Sequence, residues 1–241
     1  MVYLGSKRRI AKHIVPIIQS YINENTTGYL EPFVGGANII DKIVCPRKEG
    51  HDVHKQLIAL LRKAQQDIDN IPDFISEEEY HKVRLNRGEY PDWYVGLVGF
   101  CSTYSSKYFG GYVKPEGNCG RVLSEERIRN LKKQAKDLCG INFLHNDFRE
   151  ITPQHYSDWV IYCDPPYKGA TGYATGGAFP YDEFYSWCKK MALHNMVLIS
   201  EYNMPEGFEC IFEIPQKVLV DSGRTAGDSG NNRVEKLFIV K

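Results

Sequence analysis

YLEPFVGGANII, residues 29–40, runs from an apolar, aromatic segment through two adjacent glycines into a second apolar run. A strand entering a glycine turn and then a helix is the topology of a nucleotide-type cofactor turn in an α/β sheet. Glycine permits the tight turn and lets a ligand approach the backbone. An ordinary glycine-rich strand–helix corner has the same pattern. The spacing lacks the full dinucleotide fingerprint, so pyrophosphate binding is not what it predicts.

Upstream of this stretch, residues 6–24 place Ile10, Ile14, Ile17, Ile18, Tyr21 and Ile22 largely on one helical face, with a kink expected at Pro16. Around it, GYLEPF predicts a strand, GGANIIDKI a turn into a helix, and HKQLIALLRKAQQ another amphipathic helix. The joining segment CPRKEGHD is too polar for a strand on pattern alone; it is assigned as one because such a sheet needs it. Residues 73–123 change character. Ser76 and Glu79 make a capping box for a helix ending near Gly88. GLVGFCSTYSSKYFGGYVKPEGNCG comes next, dense in Gly, Ser and Tyr.

Alternation then resumes. A helix over 124–138 is stopped by Gly140, and INFLHN and DWVIYC read as strands. A helix from about Asp182 to His194 leads to strand MVLIS. FECIFEIPQKVLV and EKLFIVK pair as a hairpin around the glycine-rich loop 222–233. The fold class is therefore α/β, a Rossmann-like doubly wound sheet built from 1–72 and 124–241 and carrying 73–123 as an insertion.

Bulk properties narrow the function. The 241 residues are 42% hydrophobic and 25% charged, enough for a sizeable core. Thirty basic residues balance thirty acidic ones, so a nucleic-acid partner must be met by local patches. The cysteines are scattered without a C-x-x-C pair, so neither a zinc site nor a disulfide framework is indicated, which suits reduced thiols in the cytoplasm. MVYLGSKRR turns basic where a signal peptide becomes apolar, and no apolar run is long enough for a membrane span. His51 and His54 lie three apart with no further ligand cluster nearby, so no metal is expected.

Three carboxylates fall at predicted strand ends. Asp52 closes the strand after the glycine turn, where an acid hydrogen-bonds ribose hydroxyls or caps the next helix. Asp147 precedes Phe148 in INFLHNDFREI and also suits a turn cap. Asp164 ends the apolar run of WVIYCDPPYKG, residues 159–169. Pro165 and Pro166 stop that strand and stiffen the chain beyond it, holding the Tyr167 ring near the carboxylate. Such a device grips something flat and polar.

The chain resembles the Dam-like adenine DNA methyltransferases in YLGSK at 3–7, YLEPFVGGAN at 29–38, DVHKQLIALL at 52–61, NDF at 146–148 and YCDPPY at 162–167, in the family's order. SEYNMP at 200–205 and the terminal EKLFIV are also similar. One departure is Ala37 after two adjacent glycines, in place of a spaced glycine pair. The resemblance implies methyl transfer from S-adenosylmethionine to the exocyclic amine of a flipped adenine in double-stranded DNA. It implies that Asp164, Pro165, Pro166 and Tyr167 grip the base, with Asp164 also facing the cofactor. Tyr3, Lys7, Phe33, Gly35, Gly36, Asp52, Asp147 and Phe148 would hold the cofactor. Tyr104, Lys107, Tyr108, Tyr112 and Lys114 suit DNA recognition, since lysines contact phosphate and aromatic tips enter a groove; a solvated loop with a small aromatic core is the plain alternative. A cognate restriction endonuclease is a candidate partner. Methylation of RNA or of a protein glutamine amide uses the same grip, and a lapsed DNA-binding or cofactor-sensing module is the alternative from another class.

Overall fold

The structure, a computed structural model, describes residues 1, 3, 5–104, 107–113, 123–167, 179–215 and 234–241. Its centre is two short strands buried along their whole length, β1 (Gly28–Glu31) and β4 (Trp159–Cys163). They pair in parallel, flanked by β2 (Lys48–Asp52) and β3 (Ile141–His145) on one side and β5 (Met196–Glu201) on the other. β6 (Phe208–Pro215) and β7 (Val234–Val240) complete the order β3-β2-β1-β4-β5-β7-β6, with β7 antiparallel to both neighbours. The strand order reverses between β1 and β4. In open α/β sheets that switch point, at the carboxyl edge, is where a ligand crevice forms.

Alternating side chains give the sheet two apolar faces. Tyr29, Val160, Tyr162 and Leu198 point into one cluster with α1 (Ala11–Ser20), α2 (Lys55–Gln66), α3 (Glu77–Leu85), α4 (Asp92–Cys101) and α5 (Leu123–Ala135). Leu30, Trp159, Ile161 and Ile199 point into the other, with Phe184, Trp187 and Met191 of α6 (Tyr181–Met191). The polar segment assigned as β2 is a strand, buried towards its carboxyl end. The terminal hairpin is present as β6 and β7; its loop, with the expected 222–233, lies outside the described residues. Ser76 caps α3 by accepting from the Glu79 amide (3.1 Å), while the Glu79 carboxylate accepts from the Tyr94 hydroxyl (3.0 Å).

Three elements differ from the sequence expectation. The helix expected after the glycine turn is a single 3-10 turn, Ile40–Lys42. Pro46 allows no helix to continue and the chain must be extended again at Lys48. The first helix begins as a 3-10 turn, Lys7–Arg9, and ends at Ser20, with Pro16 on its exposed side. α4 is a full helix in a stretch where the sequence assigned no element. Its glycines are required by packing: a Cβ on Gly96 would lie 2.2 Å from the Gln56 carbonyl oxygen of α2.

Gly96→Ala therefore forces α4 away from α2. The expected loss of unfolding free energy is about 1–3 kcal/mol, the usual range for overpacking. Chemical denaturation checks it, and an unchanged midpoint would show that the two helices separate freely.

Candidate active site

The turn after β1 is shaped by hydrogen bonds to its neighbours. Val34 N–H donates to the His51 carbonyl (2.8 Å), carrying the chain towards β2, and Ala37 N–H returns to the Val34 carbonyl (2.9 Å). Gly35 and Ala37 both take left-handed backbone, with φ 49° and 54°. For Ala37 this costs strain, which the surrounding packing must offset. A Cβ on Gly35 would lie 3.0 Å from the Tyr3 ring, so glycine is what allows Tyr3 to lie across the turn.

Asp52, buried at the end of β2, accepts from Gly35 N–H (3.1 Å, Oδ2) and His54 N–H (2.9 Å, Oδ1). Burial pushes its carboxyl up to about 6 despite those two donors. It thus both ties the glycine turn to β2 and keeps a further acceptor position on each oxygen. Glu31, buried at the end of β1, accepts from the Tyr29 hydroxyl (2.7 Å), and desolvation pushes its carboxyl well up.

Asp147 comes after β3 and closes a capping box with Glu150. Its two oxygens also accept from the Arg149 guanidinium at 2.8 Å each, which holds it below the usual carboxylate range. Phe148 is buried within 5.6–5.8 Å of the rings of Phe33, Phe179, Phe184 and Trp187. Phe33 is half-buried at the rim of this aromatic group.

Asp164 stands where β4 ends, directly across the switch point. Its Oδ1 is 2.9 Å from Lys7 Nζ, which lies 3.6 Å from Glu235 Oε1 and 4.4 Å from the centre of the Tyr167 ring. Desolvation pushes the Asp164 carboxyl up and the Lys7 ammonium opposes the shift. Pro165 is buried, and the Pro166 carbonyl accepts from the Tyr181 hydroxyl (2.9 Å). Tyr167 is buried too, donating its hydroxyl to Glu235 and meeting Tyr202 edge-on (4.7 Å).

A family model described as "D12 class N6 adenine-specific DNA methyltransferase" matches residues 3–206. The chain belongs to that family. It is an adenine-specific DNA methyltransferase. No curated protein sequence matches it. Two solved structures of the rRNA methyltransferase aviRa from Streptomyces viridochromogenes align over 96% and 97% of this chain and 84% of theirs. Their identities are 12% and 10% and their TM-scores 0.43 and 0.45, a likeness too loose to bear on activity.

In this methyltransferase the sheet edge thus gathers Tyr3, Lys7, Phe33, Gly35, Gly36, Asp52 and Asp164–Tyr167 about the switch point. The residues expected to meet DNA divide. Tyr104 and Lys107 are exposed on a tight loop, pinned where Tyr104 N–H meets the Gly111 carbonyl (2.7 Å). Tyr108 is half-buried against His54 (4.4 Å) and Phe100 (4.8 Å), and Tyr112 donates to the Ile75 carbonyl (3.0 Å). Lys114 lies outside the described residues. His54 sits between Phe100 and Tyr108, and burial pulls its pKa down to about 4. Among the described residues no group of His, Cys, Asp and Glu is arranged to hold a metal, and no helix is long and apolar enough to cross a membrane.

Three participants carry no clear signal in the sequence: Glu31, Glu235 and Gln134. The first two lie within the family-like motifs YLEPF and EKLFIV, yet neither stands out there as a site residue. Gln134, on α5, donates its side-chain amide to the Gly36 carbonyl (3.2 Å), the Ala37 carbonyl (2.9 Å) and Asp41 Oδ2 (2.8 Å), bracing the turn from behind. Nothing in its sequence context signals this. Gln134→Ala is expected to cost about 1–3 kcal/mol, because buried acceptors lose their donor. Denaturant titration measures it, and a loss below roughly 0.5 kcal/mol would mean that water replaces the amide without cost.

Proposed function

We propose that this enzyme uses S-adenosylmethionine to methylate the exocyclic amine of an adenine turned out of double-stranded DNA, with Asp164 as the acceptor of that amine. The observation that carries the reading is the position of Asp164, partly exposed just beyond the carboxyl end of β4 at the switch point beside β1, in contact with Lys7. S-adenosylmethionine, when bound, supplies an activated methyl on a sulfonium. The residues present fit it. Asp52 has acceptor positions left for ribose hydroxyls, and Asp164, in contact with the Lys7 ammonium, stands at the same edge of the sheet; Gly35 and Gly36 let the Tyr3 segment pack directly over the turn.

Asp164 and the Pro165 carbonyl would accept the two N–H bonds of the target amine. That lets the nitrogen pyramidalise and recover a lone pair otherwise delocalised into the ring, while fixing its direction of attack. Two prolines keep both acceptors in place. Tyr167 lines the base pocket, Phe33 and Phe148 offer an aromatic wall to the cofactor's adenine, and Asp147 is the acceptor at its rim. Tyr3 closes over the glycine turn, and Lys7 stands at the transfer end.

The catalytic domain in this reading is 1–72 with 124–241, and 73–123 recognises the target. Tyr104, Lys107 and Lys114 meet the DNA, while Tyr108 and Tyr112 hold their loop against α4 and the chain before α3. The enzyme works where its DNA lies, in the cytoplasm, and a cognate endonuclease reading the same site is a compatible partner.

Asp164→Ala should remove roughly 3 kcal/mol or more of transition-state stabilisation, by analogy with loss of an oxyanion-hole donor. The fold should survive, because Lys7 retains Glu235 as a partner. Single-turnover transfer of labelled methyl to adenine-containing DNA, beside a thermal melt, is the test. Near-normal transfer by the folded variant would sink the mechanism.

Asp52 gives a pH signature. Its raised pKa of about 6 means that the carboxylate form, the better acceptor for ribose hydroxyls, is populated only above that pH. Cofactor affinity is therefore expected to fall as pH drops through this value, approaching tenfold per pH unit below it. In Asp52→Asn the Asp52 component should vanish. Calorimetry at about pH 5 and about pH 7.5 measures both, and an equal pH dependence in the two proteins would remove Asp52 from the ribose site.

A further inference from the structure

The Lys7 ammonium sits between two acids that differ in what can reach them. The side chain of Asp164 is 21% exposed, whereas that of Glu235 is 3% exposed. Both contacts run to single oxygens, Asp164 Oδ1 at 2.9 Å and Glu235 Oε1 at 3.6 Å. A charge-assisted contact closes at about 2.8 Å, so the ammonium reaches Glu235 by a shift on the order of 1 Å. The Tyr167 ring centre lies 4.4 Å from Nζ, and the Tyr167 hydroxyl donates to the Glu235 oxygen that would receive it.

This matters for the reading in which Asp164 accepts the target amine, on which the inference rests. In the resting enzyme Lys7 holds Oδ1, one of the two Asp164 oxygens open to an incoming amine, and its charge competes for the same carboxylate. An ammonium with no second partner would have to be driven off the carboxylate as the base docks. We propose that Lys7 is a cation with two seats: it keeps Asp164 charged and its acceptor oxygen filled while no base is present, and moves onto Glu235 when the amine arrives. Glu235 is then a positioning residue for methylation that never touches substrate. The two carboxyls support this, since burial raises both pKa values and Lys7 is the foremost opposing influence on each. Glu235 reaches the site because β7 runs antiparallel, which brings its amino end to the carboxyl edge of the parallel strands.

A double-mutant cycle tests the assignment, reading single-turnover methyl transfer to unmethylated adenine-containing DNA, cofactor affinity and thermal melting. Glu235→Gln should slow transfer roughly tenfold, within the range of coupling between directly interacting groups, with cofactor affinity unchanged. Lys7→Met should be slowed but active, and adding Glu235→Gln to it should change the rate less than about twofold. In a Tyr167→Phe background the full Glu235→Gln loss should persist. The same loss with and without Lys7 would overturn the proposal, as would its disappearance in Tyr167→Phe, wild-type transfer by Glu235→Gln, or complete inactivity of Lys7→Met. Where Glu235→Gln does not fold, Glu235→Asp, which withdraws the seat by one methylene, is read in the same cycle. Unfolding of both would assign Glu235 to holding β7 and overturn it too. Full transfer by Asp164→Ala is a separate outcome, which rejects the underlying mechanism instead.

Discussion

Burying carboxylates beside one another is expensive unless a cation or hydrogen-bond donors compensate. This fold does so repeatedly along one line. Glu31, Asp52, Asp164, Glu201 and Glu235 all lie at the carboxyl edge of the sheet, most of them buried. Each has a compensating partner close by: the Tyr29 hydroxyl for Glu31, two backbone amides for Asp52, the Tyr202 amide for Glu201, Lys7 for Asp164, and Tyr167 with Lys7 for Glu235. Lys7 is the partner that two of them, Asp164 and Glu235, share. Without it the edge would lose the ammonium that opposes the upward shift of two neighbouring carboxyls.

The contact between Lys7 and Asp164 also sets the path of the chain around it. Lys7 is delivered by the 3-10 turn before α1, and the backbone leading to it passes over Gly35 and Gly36. The Asn38 amide donates to the Met1 carbonyl (3.0 Å), fastening this segment to the turn it covers. A strained Ala37 and a glycine-rich corner are thus held between the N-terminal segment on one side and Gln134 on the other. A turn braced on both sides can stay open for a ligand without collapsing onto the sheet.

How much of this is legible in the sequence depends on which physical rules a sequence exposes. The strands β1, β4 and β5 are plain as apolar runs, and an acid or turn residue after an apolar run marks the sheet edge, which locates Asp147 and Asp164; Asp52 closes the polar β2, placed only because the sheet needs a strand there. The same rule hides Glu235. An acid at the carboxyl end of a parallel strand is a known signal, but β7 runs the other way, so its edge residue stands near its start. Gln134 has no signal at all, because a glutamine on a helix face is ordinary until the acceptors opposite it are known. α4 is hidden because Gly96 and Gly99 read as irregular backbone, when they are the close approaches that let α2 and the Tyr108 ring pack against a helix. Tyr108 and Tyr112 read as exposed tips for the related reason that aromatic residues among glycines look the same whether they face solvent or fill a small core.

α5 links the two halves of the task. Near its start, Ser124 meets Ser102 (hydroxyl oxygens 3.0 Å apart) and Arg127 donates to the Thr103 carbonyl, so it holds the base of the loop bearing Tyr104 and Lys107. Near its end, Gln134 holds the glycine turn. From Ser124 to Gln134 is ten residues of one α-helix, and at a rise of 1.5 Å per residue that is about 15 Å. A helix of that length, buried along one face against α2 and α4, is stiff compared with the loops at either end. The separation between the turn and the loop is therefore fixed by a helix rather than by the length of a linker. In the proposed reading, in which a base is brought out of a duplex to a methyl donor, a fixed separation makes the distance the nucleotide travels a property of the protein and leaves the deformation to the DNA.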